Sequence, residues 1–223
     1  MKGWIDWVKR LLPMHLWLLI AIWFIQNGMV YYVARIINHG RTYHNMTLPL
    51  DTQIPVIPAF IVIYILAYIS WYIGYIIILR QGNEMAGVLF GVMIAKVICF
   101  IIFVAYPTEM EWPVIEGNGV FEWMTKFIYF TDQPNNLFPS IHCMENWMIW
   151  RGMVGCKSIP LSVKIGFFVF AILVFLSTLF VKQHVVMDIP SAILVTEIGL
   201  WISRRLRLGE RYAARHRVRE AAA

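Results

Sequence analysis

The apolar residues of this chain are gathered into blocks. They run over about Leu11 to Ala34, Ile54 to Leu79, Met85 to Tyr106, Ile141 to Gly155, Leu161 to Val181 and Ile189 to Ser203. A helix needs about 20 residues to cross the hydrocarbon of a bilayer, and most of these blocks reach that length. Composition agrees: 60% of residues are hydrophobic and 14% charged, against about 45–50% and 25% in a soluble domain. The expectation is an all-α, polytopic membrane protein: a six-transmembrane helix bundle over residues 1–205 and a basic cytoplasmic tail over 206–223. No sizeable soluble domain fits beside it.

The formal charge of +6 does not point to nucleic acid. Most of the excess lies in the tail, in Arg204, Arg205, Arg207, Arg211, Arg215, Arg217 and Arg219. Such a run reads as a helix on an anionic membrane surface or as a solvated tail. Cys99, Cys143 and Cys156 are too few and too odd in number for a disulfide framework. The first apolar run lacks a small-residue cleavage site and exceeds the length of a leader's apolar region. Met1 to Arg10, with Trp4 and Trp7 among charges, suits a membrane interface.

Polar residues inside the apolar blocks are expensive there and therefore informative. Lys96 falls in the middle of the third block. The fourth is short and holds His142, Glu145, Asn146 and Arg151, so it should be enclosed by protein or water. The stripe Tyr64, Tyr68, Trp71, Tyr72 and Tyr75 recurs at helical spacing and reads as packing. Pro107 to Pro139 is the longest polar stretch, carrying Glu109, Glu111, Glu116, Glu122 and Asp132 against Lys126. Within it, Phe121 to Phe130 has the pattern of an amphipathic helix lying on the outer membrane surface.

Between the last two blocks lies Lys-Gln-His-Val-Val-Met-Asp, Lys182 to Asp188. On a helix His184 and Asp188 share one face. A carboxylate there fixes one ring nitrogen and leaves the other free to attack. The plainer reading is a pair that satisfies itself inside a bundle. Six spans put both termini on one side. Positive residues at the N-terminus, around Arg151, Lys157 and Lys164, and in the tail make that side cytoplasmic. His142 and His184 then meet near the outer face, under a lid formed by 109–132.

Two stretches carry a family likeness. Phe138-Pro139-Ser140-Ile141-His142 resembles the Pro-Ser-x-His signature of the type 2 phosphatidic acid phosphatase superfamily. Ser177 to Asp188 resembles its Ser-Arg-x(5)-His-x(3)-Asp signature. Lipid-phosphate phosphatases and sphingomyelin-synthase-like phosphotransferases share this arrangement. The resemblance implies that His184 attacks phosphorus and is phosphorylated, that Asp188 orients it, and that His142 protonates the leaving oxygen. It implies no metal and no cofactor. Ser140, Lys182 and Asn136 are the expected substrate-binding residues. The chain departs from the family at Thr178, where an arginine should grip phosphate, at Ile141, and at Trp112-Pro113, where Arg-Pro should stand. A thinned clamp leaves three readings: a zwitterionic substrate, another cation such as Lys96, Arg35 or Arg41, or lost activity.

The leading expectation is a membrane lipid-phosphate phosphatase working at the outer leaflet. The alternatives are a phosphotransferase that moves a phospho head group onto ceramide or diacylglycerol, and a non-catalytic family member. A metal site built from His142, Glu145, His184 and Asp188 has suitable ligand types but only one i,i+3 pair. The partners implied are a lipid phosphate and the surrounding lipids, with oligomeric state left open.

Overall fold

The computed structural model describes residues 11–221, so the Met1–Arg10 segment lies outside them. The chain is all-helical apart from two short strands. In order it forms α1 (Met14–Ile37), β1 (His44–Asn45), α2 (Pro49–Gln53) and α3 (Ile61–Leu79). Then come α4 (Ala86–Ala105), β2 (Thr108–Glu109), α5 (Val120–Thr131) and α6 (Ile141–Val154). The chain ends with α7 (Leu161–Phe180), α8 (Asp188–Arg205) and α9 (Leu208–Ala221). Single 3₁₀ turns at Pro58–Phe60 and Asn83–Met85 lead into α3 and α4.

Four of these helices are long and apolar enough to cross a membrane: α1, α3 and α4 with their leading turns, and α7. Their outward faces carry Leu18, Ile22, Ile69, Ile73, Ile101 and Val169, all exposed. Apolar surface on both sides of a helix is what a lipid surround requires. The other two sequence blocks form helices of a different kind. α6 has 14 residues, about 21 Å at 1.5 Å per residue, less than the hydrocarbon thickness. It is wrapped by α3, α4, α7 and α8, which explains how it carries Glu145 and Asn146 fully enclosed. α8 holds Asp188 and Glu197 along its length.

α8 packs most extensively against α4, and two glycines set their approach. A Cβ on Gly199 would lie 2.4 Å from the Gly91 carbonyl oxygen, so no other residue fits without separating the helices. Across the α6–α8 seam, Arg151 grips Glu197 with Nε to Oε1 at 2.5 Å and Nη2 to Oε2 at 3.0 Å. The arginine-rich tail is a helix, α9, folded back on α4 and the Asn83–Met85 turn. The Tyr212 hydroxyl donates to the His15 carbonyl at 3.0 Å, and the His15 ring stacks on His216 with centroids 3.9 Å apart.

Helix limits shift from the sequence expectation for clear reasons. α1 starts after Pro13, whose fixed φ serves as its N-cap. The second block loses Ile54 to Ile57, which stay non-helical ahead of Pro58. β1 and β2 pair in parallel, His44 with Thr108 and Asn45 with Glu109. That small ladder ties the 38–54 loop to the stretch that leaves α4, and a single Glu109–Asn135 bridge ties that stretch to the run entering α6.

Candidate functional site

His142 is the second residue of α6, and the chain before it is tightly fixed. Thr108, fully buried, accepts with Oγ1 from the Leu137 amide at 3.1 Å and the Phe138 amide at 3.2 Å. Its carbonyl accepts from the Asn136 amide at 2.9 Å. Ser140 is the N-cap: its Oγ accepts from the Cys143 amide at 3.2 Å. A short oxygen at this position satisfies one of the orphan amides of the first turn. The His142 ring is then packed by aromatics from α3. Tyr64 stacks on it at 4.3 Å between centroids, with Tyr68 at 5.1 Å and Trp71 at 5.4 Å.

His184 stands on the turn between α7 and α8. The Thr178 carbonyl accepts from the Gln183 amide at 2.9 Å and the His184 amide at 3.2 Å. Lys182 adopts the left-handed conformation, φ 51°. Its ammonium donates to the carbonyls of Asp51 at 2.7 Å and Ile54 at 2.6 Å. Burial lowers its pKa, and the Asp51 carboxylate opposes that shift. Asp51 binds the same turn from its side chain, accepting from the Val186 amide at 2.8 Å and the Leu48 amide at 2.8 Å. Tyr129 of α5 donates its hydroxyl to the Val181 carbonyl at 2.8 Å, and burial pushes that hydroxyl well above its ordinary pKa.

Asp188, fully buried at the start of α8, accepts through Oδ2 from His184 Nδ1 at 2.8 Å and from the Val185 amide at 3.2 Å. The pairing fixes Nδ1 of His184 and leaves Nε2 free of this contact. The two imidazoles face each other with centroids 5.8 Å apart. Residues 42 positions apart in sequence thus converge at one end of the bundle.

Both rings line a cavity of about 290 Å³ between α1, α3, α5 and the 181–187 turn. Asn136 and Gln183 line it too, and their side-chain NH2 groups are buried without a partner in the chain. The same is true of Trp71 Nε1 and His142 Nε2. Four polar nitrogens of lining residues thus carry an unmet hydrogen bond, as do Asn27 Oδ1 and Asn135 Oδ1 of the same lining. A second cavity of about 350 Å³ is also lined by His184, together with Asp51, Glu111, Trp112 and Lys182.

The expected site residues therefore divide. His142, His184 and Asp188 come together, and Asn136 lines the same cavity. Ser140 and Lys182 do not line it: the first caps a helix, the second is tied to the 51–54 carbonyls. Thr178 is buried against Cys143, with its hydroxyl on the Phe175 carbonyl at 2.8 Å. None of the three alternative cations lines the cavity either. Lys96 is paired with Glu145 at 2.7 Å. Arg41 donates to Asn38 Oδ1 at 2.9 Å and to the Val104 carbonyl at 2.5 Å. Arg35 is absent from the lining. The pairing with Lys96 also takes Glu145 away from His142, and among the described residues no three His, Cys, Asp or Glu side chains converge as a metal would need.

Sequence reasoning did not reach Asn38, Thr108, Trp71 or Gln183 as site residues. Asn38 is fully buried and donates to Asn136 Oδ1 at 3.2 Å and to the Phe103 carbonyl at 2.8 Å, so it aims the free amide of Asn136. Trp71 lies within the aromatic stripe whose helical spacing reads as packing. Gln183 lies beside His184 in the motif itself, and its polarity next to an apolar block was the available signal. The chain matches no known family model, no curated protein and no solved structure.

Proposed function

We propose that the protein is a membrane enzyme of the lipid-phosphate phosphatase type, working through a phosphohistidine on His184. In this reading α6 and α8 complete a six-span bundle and α5 lies at the interface. The histidines open to the outer face and both termini are cytoplasmic. Arg80, Lys157, Lys164, Arg204 and Arg205 all sit at the end of the bundle opposite the histidines, the distribution expected of a cytoplasmic side.

The observation that carries the reading is the His142–His184–Asp188 constellation, 5.8 Å between rings and 2.8 Å from ring to carboxylate. Phosphoryl transfer requires little covalent work from the protein beyond an in-line nucleophile, an acid on the leaving oxygen and donors for the equatorial oxygens. Nε2 of His184 attacks phosphorus as the ester P–O bond breaks, and a protonated His142 gives its proton to the departing lipid oxygen. Neutral His142 then takes a proton from water as that water attacks the phosphohistidine. Asn136, Gln183 and Trp71 supply N–H donors to the oxygens.

A second reading replaces water with a lipid alcohol as acceptor. What favours it is the second cavity, which is also lined by His184. The deciding experiment uses protein in lipid nanodiscs with a phosphorus-labelled lipid and an alkaline quench. Label is expected on wild-type protein and absent from His184→Ala, with product release lost in parallel. Undiminished release by that variant removes the proposal. Product analysis with and without added diacylglycerol or ceramide separates the two acceptors.

A further inference from the structure

Resting on the phosphohistidine reading of His184, we propose that Arg41 is a positioning residue for that site. Acting through Asn38, it fixes the side chain of Asn136 so that an NH2 donor faces the cavity and meets a phosphate oxygen there.

The chain of contacts starts outside the cavity. Arg41 Nη1 donates to Asn38 Oδ1 at 2.9 Å. Asn38 Nδ2 donates to Asn136 Oδ1 at 3.2 Å and to the Phe103 carbonyl at 2.8 Å. The two ends of an amide are told apart by the partners each can have. A guanidinium only donates, so the Asn38 atom it meets is the oxygen. A backbone carbonyl only accepts, so the atom facing Phe103 is the nitrogen. The second proton of that nitrogen goes to Asn136, which must answer with its own oxygen. One direction therefore runs through both amides, and it ends with the Asn136 NH2 turned away from Asn38.

That end lies at the site. Asn136 is 4% exposed, its Nδ2 has no partner in the chain, and it lines the cavity together with His142 and His184. Its backbone is held as well, with φ at 54° and the amide on the Thr108 carbonyl at 2.9 Å. A buried donor without a partner is costly, and an arriving oxygen removes that cost.

Charge is the second argument. Neither lysine nor arginine lines the cavity. The Arg41 guanidinium stands two hydrogen bonds from Asn136 Nδ2. A bond from a charged donor is stronger than a neutral one, and bonds in a buried chain polarise one another. The Asn136 donor thus carries part of the effect of a cation that never enters.

A purely structural role for Arg41 would be its contact with the end of α4, where it donates to the Val104 carbonyl at 2.5 Å. That role needs one carbonyl. It accounts neither for Asn38, fully buried with both amide protons spent, nor for the direction of the unmet Asn136 NH2.

The test uses the full chain in maltoside micelles with inorganic phosphate as the probe, read by titration calorimetry and by the unfolding midpoint. Asn38→Asp keeps the size and the contact with Arg41, but an ionised carboxylate cannot donate to Asn136, whose amide then turns its oxygen to the cavity. Phosphate affinity is expected to fall about tenfold in Asn38→Asp and in Asn136→Ala, the loss of one hydrogen bond to a charged group. Arg41→Met should lose about threefold, and Arg41→Lys, which still donates, should recover most of it. The double variant Asn38→Asp/Asn136→Ala should bind as Asn136→Ala does, because no amide is left to direct. Losses that multiply overturn the inference, as does a lowered unfolding midpoint with unchanged affinity. So does a wild type that gains no stability from phosphate. Arg41 is exposed, so its two variants decide should Asn38→Asp fold poorly, and equal losses in both overturn the inference. A parallel arm labels His184 from phosphorus-labelled phosphatidic acid in nanodiscs. Label on wild type, with label and affinity both unchanged in Asn38→Asp, removes the relay and leaves the chemistry standing. Coupled loss of phosphate affinity with no labelled histidine upholds the relay and removes the chemistry.

Discussion

The Lys96 ammonium lies 2.7 Å from Glu145 Oε1, with both side chains fully buried where α4 meets α6. Trp23 Nε1 donates to the same oxygen at 3.0 Å, the Tyr75 hydroxyl donates to the other, and the ammonium sits 4.5 Å from the Trp23 ring centroid. The carboxylate is thus shared among α1, α3, α4 and α6. A buried pair is weak evidence of net stabilisation, but removing one partner leaves a charge with nothing to answer it, at about 3–5 kcal/mol. Glu145→Gln and Lys96→Met should each lower the unfolding midpoint strongly in detergent. The double variant should lose clearly less than the sum of the two, because each change removes the reason the other hurts. Additive losses would show that the pair is not coupled.

Asp188 holds His184 by Nδ1, and under the proposed phosphohistidine mechanism its removal should spare the fold more than the chemistry. Asp188→Asn keeps the shape but cannot stabilise a positive ring or reliably fix its tautomer. Turnover is expected to fall by about 10²–10⁴, the range typical of losing a positioned proton-transfer partner. The amount of folded protein should stay near wild type. Quantifying phosphohistidine on a millisecond time base, against unfolding midpoints, separates the two effects. Turnover within a factor of three of wild type would remove Asp188 from its orienting role.

The α4–α8 seam offers a purely geometric prediction. A Cβ at Gly199 meets backbone at 2.4 Å, whereas at Gly166 on α7 nothing lies within 4 Å. Gly199→Ala should cost about 1–3 kcal/mol through overpacking. Gly166→Ala should be neutral or stabilise by up to about 1 kcal/mol, since alanine loses less backbone freedom in a helix. Both residues have helical neighbours, so propensity alone predicts the same sign for both. Chemical unfolding of the two variants in one micelle system decides between packing and propensity.

Much of this arrangement was legible before the structure. The apolar blocks mark the long helices, because each must bury or face lipid along a whole bilayer thickness. The spacing of His184 and Asp188, and the even number of blocks between Ser140 and His184, place both histidines at one end. What could not be read is where loop side chains go. Asp51 reaches the Val186 amide across 135 positions, and Lys182 reaches Asp51 across 131. Such contacts depend on tertiary meeting points that have no local periodicity. Ser140 is a hydroxyl beside a histidine in a motif, and equally a serine before a helix; the second fact is what its hydrogen bond reports. The arginine-rich tail carries charge around its helix, so its docking on α4 rests on Tyr212 against the Phe90 ring and Gly209 against the Gly87 backbone, a pattern too sparse to stand out.

Lys182 supplies the last prediction. Its ammonium is spent on the Asp51 and Ile54 carbonyls, at 2.7 and 2.6 Å, and its backbone holds a left-handed φ of 51°. It shapes the turn that carries His184 and does not line the cavity with both imidazoles. A charge-assisted hydrogen bond contributes about 1.5–3 kcal/mol, and both carbonyls lose their donor when the ammonium goes. Lys182→Met should therefore destabilise the protein by roughly that much and lower kcat, because His184 is two residues away on a loosened turn. KM for the lipid should change little, since no direct contact with phosphate is lost. Lys182→Arg, longer and with a planar fork, should restore only part of the stability, as its donors cannot meet both carbonyls from the same position. A rise in KM tenfold or more in the methionine variant, at unchanged unfolding midpoint, would return Lys182 to the phosphate-gripping role that its place in the motif suggests.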